Sequence, residues 1–268
     1  MSMTLYRAPT VLLKELGVSE PGEINIEAIA QYCGATIVYE PLEGCAARII
    51  GYGDRAIITV DSRTKRPRQR FSGAHELGHW SWDRGKVGFA CTDQTFNTEW
   101  NALNPEQRSN QYAADLLLPE FMFIPRAARK DMTFATVEEL ARDFETSMTA
   151  TAIRLVQHGS FPAIVAWSEH GERKWFIRGP EVPTVLWPRE QPKRDTIAYD
   201  LFDGKIVSKR PLEIYADSWI DHLGARSYSV VEDSIKVGQD QVLTLLWWKD
   251  ERPLLGLAEQ EEGREEDS

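Results

Sequence analysis

The sequence has few of the residues that build a disulfide framework or a cysteine-based zinc site. Its three cysteines, Cys33, Cys45 and Cys91, are an odd number and show no CxxC spacing. Both kinds of site normally need paired or clustered cysteines. We therefore expect neither a set of disulfides nor a zinc ion held by thiolates.

Long apolar runs are also absent. The longest, such as residues 243–248, are far shorter than the ~20 apolar residues that cross a bilayer as a helix. Residues 1–7 lack the apolar core of a signal peptide. These features predict a cytoplasmic protein that does not bind a membrane. The net charge of −10 argues against a chain that binds nucleic acid over its whole surface.

The sequence HELGH, which begins at His75, is an HExxH motif within a helix predicted over residues 67–82. Positions i and i+4 of a helix share one face, so His75 and His79 can bind one metal ion. Glu76 can accept a proton from a metal-bound water, which is its role in such motifs. Gly78 stands where a larger side chain would crowd a neighbouring element.

A catalytic zinc site needs a third protein ligand and keeps one position open for water. The remaining histidines do not form a downstream HxxGxxH pattern, so the extended histidine motif is absent. They are His158, His170 and His222. A carboxylate on a second helix is therefore the better candidate for the third ligand.

Glu106 stands in the first turn of the next strong helical pattern, and Asn110 follows one turn later. A carboxylate there could bind the metal, while Asn110 could orient a ligand histidine. Glu106 could instead simply favour the positive end of the helix dipole. Glu99 is the main rival ligand, whereas Asp115 is off the Glu106 face and Glu120 follows the end of the helix.

Two linked blocks carry a resemblance to a known family. FSGAHELGH at residues 71–79 and EQRSNQYAADLLLP at residues 106–119 are similar to the ImmA/IrrE family of bacterial metallopeptidases. The second block has that family's glutamate, asparagine four residues later, aromatic residue, small residues and Leu-Leu-x-Pro. The differences are mild, with Ser109 where alanine is common and Leu118 where methionine is common.

The resemblance implies a gluzincin-like endopeptidase with zinc bound by His75, His79 and Glu106, and with Glu76 as general base. Mn²⁺ or Fe²⁺ could occupy the same ligands. Family members cleave one bond in a partner repressor, usually a helix-turn-helix protein of the XRE type. They thereby release transcription of stress-response or mobile-element genes. The alternative is a non-catalytic regulator that binds a repressor or DNA, with a metal site that serves only the structure.

A helix-turn-helix-like pair is predicted over residues 137–144 and 149–157. Helices that contact DNA normally carry a basic surface, yet Arg154 is the one base of the second helix. The segment also contains several acidic residues, namely Glu138, Glu139, Asp143 and Glu145. We therefore expect this pair to pack or to dock the substrate rather than to bind DNA directly.

We predict an α+β fold in three parts followed by a tail. A zincin-like peptidase domain covers residues 1–125, the helix-turn-helix-like segment 126–160, and a mainly antiparallel β domain 161–258. The charged residues 259–268 are expected to be a disordered acidic tail.

The predicted strands of the β domain show alternating hydrophobicity and are rich in tryptophan. We expect these tryptophans to form sheet core rather than a ligand cage. Trp247 and Trp248 are neighbours in a predicted strand and should point to opposite faces. At least one of them is therefore expected to be exposed or to lie at an interface.

Overall fold

The computed structural model describes residues 6–82, 89–91, 104–207 and 210–257. The predicted tail at residues 259–268 lies outside this range, so its disorder stays a prediction. Within the described part of the chain, no helix has both the length and the apolar character required to cross a membrane.

The chain divides into two compact units. The first contains residues 1–126 and 140–150, and the second contains residues 127–139 and 151–268. The predicted three-part division by domain stays a prediction, but the α+β class is confirmed by the elements of both units.

The first unit combines helices with a mixed sheet. Its helices are α1 (Pro9–Glu15), α2 (Ile26–Tyr32), α3 (Arg66–Trp82), α4 (Pro105–Leu117) and α5 (Glu120–Ala127, whose last residue belongs to the second unit). Its strands are β1 (Ala35–Glu40), β2 (Ala47–Tyr52), β3 (Arg55–Asp61) and β4 (Phe89–Cys91). The strand order is β1-β3-β2-β4, with β1 parallel to β3 and the other pairs antiparallel.

Helix α3 is held against this sheet by close contacts at two glycines. A Cβ atom on Gly73 would lie 3.1 Å from Cδ1 of Ile26 and 3.2 Å from Cδ1 of Ile37. Near the other end of the helix, the ring of Trp80 lies against Gly51, and its Nε1 donates a hydrogen bond to the backbone oxygen of Cys33 at 2.9 Å. These contacts bury residues 72–80 and fix the helix that carries the HExxH motif.

Two further helices contain residues of both units, α6 (Phe134–Phe144) and α7 (Met148–His158). The other elements of the second unit are β5 (Ala163–Glu169), β6 (Glu172–Arg178), α8 (Ile197–Phe202), β7 (Leu212–Tyr215), β8 (Ser229–Gly238) and β9 (Gln241–Trp247). The strand order is β6-β5-β9-β8-β7, and every neighbouring pair is antiparallel. The predicted antiparallel sheet is confirmed.

The expectation that Trp247 or Trp248 is exposed is wrong. The two residues are 3% and 2% exposed. Strand β9 lies between β5 and β8, and almost all its side chains are buried, so the sheet is covered on both faces there. Trp247 packs against Phe161 with ring centroids 5.3 Å apart, while Trp248 joins the core around Trp219.

Candidate metal centre

Helix α4 is placed against α3 through a glycine inside the HExxH motif. A Cβ atom on Gly78 would lie 3.0 Å from Cα of Ser109 and 3.1 Å from Cβ of Tyr112. These distances are tighter than ordinary Cβ contacts, so a side chain at this position would crowd α4, as predicted. The N-terminus of α4 is fixed by Asn104, whose side chain accepts a hydrogen bond from the backbone N–H of Glu106 at 2.9 Å.

The two helices bring three potential ligands together. Nε2 of His75 lies 3.1 Å from Nε2 of His79 and 3.2 Å from Oε2 of Glu106. The other carboxylate oxygen of Glu106, Oε1, lies 3.3 Å from Nε2 of His79. A tetrahedral zinc ion with bonds of ~2.0–2.1 Å separates its ligand atoms by about 3.3 Å. The donor types and their spacing therefore fit a zinc ion.

Asn110 contacts the first of these histidines on its other ring nitrogen. Nδ1 of His75 lies 2.9 Å from Oδ1 of Asn110. Because a carbonyl oxygen can only accept, Nδ1–H donates this hydrogen bond and the proton stays on Nδ1. The lone pair of Nε2 is thereby directed toward Glu106 and His79, which is the tautomer that a metal ligand needs.

The comparisons with known proteins support the family resemblance. Residues 30–156 match the family described as Peptidase_M78, the IrrE N-terminal-like domain. These residues form an IrrE N-terminal-like domain. The predicted resemblance to the ImmA/IrrE family is confirmed, and the family supports a metallopeptidase type of enzyme. Peptidases of this family are generally zinc-dependent.

A solved structure supports the fold. A transcriptional regulator of Mycobacterium tuberculosis is similar with a TM-score of 0.55 and 15% sequence identity. The similarity covers 89% of this chain and 73% of that chain, and at this identity it concerns the fold alone. No curated protein matches the chain.

The carboxylate of Glu106, in the IrrE N-terminal-like domain, lies in surroundings that favour its charged form and so favour binding of a cation. The imidazoles of His75 and His79, which can donate hydrogen bonds to the carboxylate whenever Nε2 carries a proton, hold the pKa of Glu106 well below its usual range, although its partial burial acts in the opposite direction. Glu106 is therefore ionised at neutral pH. The two imidazoles are buried, and Glu106 is partly exposed, so the ligand group is open on the carboxylate side.

Glu76 lies next to His75 in α3, and its side chain is fully buried. It is not one of the three groups whose ligand atoms meet. Glutamate is almost never fully buried unless it is paired or has a chemical role. The structure thus buries this carboxylate in the core, on the residue that follows the candidate ligand His75 in α3.

The rival ligands are placed elsewhere or lie outside the described residues. Asp115 accepts a hydrogen bond from the exposed Gln111 at 2.9 Å, and Glu120 begins α5. Glu99 lies outside the described residues. Within the described part of the chain, His75, His79 and Glu106 are the one group of three or more such side chains close enough to share a metal ion.

Proposed function

We propose that this protein is a zinc-dependent endopeptidase that cleaves a partner transcriptional repressor and so relieves repression of stress-response or mobile-element genes. The observation that carries the proposal is the carboxylate of Glu106, which lies within 3.3 Å of Nε2 of both His75 and His79. Three protein ligands leave the fourth tetrahedral position to water, as catalytic zinc sites require.

Each residue has a separate task in the proposed reaction. His75, His79 and Glu106 hold the ion, and Asn110 keeps the ring of His75 in its metal-binding tautomer. When bound, zinc polarises the scissile carbonyl and lowers the pKa of a bound water. Glu76 accepts the proton from the attacking water on its carboxylate and then delivers it to the leaving amine.

The proposed substrate is a helix-turn-helix repressor of the XRE type. The domain match supports a peptidase, and the solved protein of similar fold is named as a transcriptional regulator, which agrees with a role in gene control. Direct contact with DNA through α7 is disfavoured because its basic residue Arg154 is only 3% exposed.

The test combines the purified chain, zinc and the helix-turn-helix repressor encoded nearest to its gene. We expect Glu76→Gln to keep one zinc ion per chain and to lose cleavage of the repressor. Glu43→Gln is the matched control, because that glutamate is exposed on a loop of the same unit. If Glu76→Gln still cleaves the repressor, the proposed role of Glu76 is wrong.

A transcription assay separates the non-catalytic alternative. A regulator that only binds its repressor or DNA would still relieve repression in the Glu76→Gln form. We expect this variant to leave the target gene repressed. Derepression without cleavage would favour a binding protein whose metal site serves only the structure.

A further inference from the structure

An apolar cleft of the first unit lies beside the candidate metal centre. It is formed where α3, α4, the turn between α6 and α7 and the first turn of α7 meet. Six of the residues that line it are Pro67, Phe71, Ala114, Leu117, Thr146 and Ala150. Carbon atoms make up most of this lining, and none of the residues that line the cleft is charged.

The cleft continues the two rows of side chains that hold the metal ligands. Phe71 precedes His75 by one helical turn, and their ring centroids are 6.2 Å apart. On the facing helix, Ala114 follows Asn110 by one turn. Since residues four apart share a helix face, the cleft begins about one helical turn (~5.4 Å) along α3 from the candidate ligand His75, and about one turn along α4 from Asn110, which contacts that ligand.

The wall formed by the α6–α7 turn is tied to α3 by an ion pair. Nη1 of Arg70 lies 2.7 Å from Oε2 of Glu145, and Arg70 itself is only 5% exposed. Arg70 directly precedes Phe71, and Glu145 directly precedes Thr146. The ion pair therefore fixes two lining residues relative to each other, so the cleft is held in shape by the fold.

The dimensions and chemistry favour one kind of occupant. Ala114 and Ala150 are short side chains on facing walls, and they leave room that a larger residue would fill. A peptide crossing the metal centre advances ~3.3 Å per residue, so a side chain next to the scissile bond reaches a cleft one helical turn away. Binding is favourable for apolar groups because it removes their surface from water.

We propose that this cleft is the subsite that binds an apolar side chain of the substrate beside the scissile bond. The subsite rests on the proposed function as a zinc endopeptidase. It makes Ala114 and Ala150 specificity-determining residues, because their size sets the space for the incoming side chain.

The test measures binding to the zinc-loaded full chain by calorimetry, so it does not need the natural substrate. The probes are acetohydroxamate and two succinyl hydroxamates that differ only in carrying hydrogen or an isobutyl group next to the chelating end. We expect the isobutyl compound to bind on the order of 10- to 100-fold more tightly than the hydrogen compound. Ala114→Leu should reduce this ratio to near one without changing the affinity for acetohydroxamate.

Two further variants control for folding and position. Ala150→Leu fills the cleft from the opposite wall and should have the same effect, whereas Ala28→Leu, at an exposed position of α2, should keep the wild-type ratio. Equal binding of both succinyl compounds to the wild type, with normal acetohydroxamate binding, would refute the subsite and leave the metal centre intact. A zinc-loaded chain that does not bind acetohydroxamate would instead overturn the proposed function and the subsite together.

Discussion

Nδ1 of His75 donates a hydrogen bond to Oδ1 of Asn110, which lies on a different helix, at 2.9 Å. Removing this acceptor frees the ring to rotate and to change tautomer. We predict that Asn110→Ala lowers the affinity for zinc by about 10- to 100-fold. Competition with a chromophoric chelator measures this change, and Gln111→Ala, at an exposed site in the same helix, is the control. Unchanged zinc affinity in Asn110→Ala would show that the hydrogen bond does not orient the ligand.

Two glycines of α3 should respond differently to the same substitution. At Gly78 the new Cβ would meet the Cα of Ser109 at 3.0 Å, so α3 and α4 must separate. At Gly73 its close contacts would be with the terminal methyls of Ile26 and Ile37, which can move.

We therefore predict that Gly78→Ala lowers the free energy of unfolding by about 1–3 kcal/mol and also weakens zinc binding, because Glu106 moves with α4. Gly73→Ala should cost less, since the gain in helix propensity offsets part of the crowding. Chemical denaturation with and without zinc measures both effects. Equal losses for the two variants would mean that the Gly78 contact does not set the helix separation.

Much of the candidate site could be predicted from the sequence because its ligands lie in two long helices. The four-residue spacing of His75 and His79, and that of Glu106 and Asn110, places each pair on one face. Nothing in the spacing within either helix states that the two faces meet. The contact between the two faces depends on Gly78 and the residues it packs against. Before the structure, only the resemblance to a family indicated that Glu106 joins the two histidines.

Other elements were missed because their causes are not local. Strand β4 has three residues, Phe89–Cys91, which is too short for alternation to be visible. Helix α8 has six residues, and its first backbone N–H groups donate hydrogen bonds to the carboxylate of Glu232 in β8, which is far away in the sequence. The burial of Trp247 and Trp248 follows from the central position of β9, which depends on the order of strands in the sheet.

The ion pair between Arg70 and Glu145 links a buried group to a half-exposed one. The side chain of Glu145 is 55% exposed. Burial lowers the pKa of Arg70, and the nearby negative charge of Glu145 opposes this effect. We predict that Glu145→Gln lowers the free energy of unfolding by about 1 kcal/mol. This figure is below the cost of breaking a fully buried pair because solvent screens the carboxylate.

Denaturant titration at low and at high salt measures this loss. Glu43→Gln is the control, because its partner Arg63 is half exposed and the pair should contribute little. A Glu145→Gln variant as stable as the wild type would show that the buried guanidinium of Arg70 does not need this carboxylate.

Glu232 is a buried carboxylate in the second unit and is 0% exposed. It accepts hydrogen bonds from the backbone N–H groups of Ile197 at 2.9 Å and Ala198 at 2.8 Å, and from the hydroxyl of Ser234 at 2.8 Å. Burial nevertheless raises the pKa of Glu232 above its ordinary value, and these hydrogen bonds only oppose the shift.

This shift predicts a pH-dependent contribution to stability. Because the folded state binds the proton more tightly than the unfolded state, the contribution is complete below the ordinary glutamate pKa and is lost as the pH rises through the raised pKa. Glutamine cannot titrate, so the Glu232→Gln variant should not show this loss of stability. We predict that the difference in free energy of unfolding between the wild type and the variant shrinks as the pH rises from the ordinary glutamate pKa through the raised one. Urea unfolding at several pH values, monitored in the second unit, measures the difference between the two proteins, with the exposed Glu213→Gln as control. A difference that stays constant with pH would show that Glu232 has the same pKa in the folded and unfolded states.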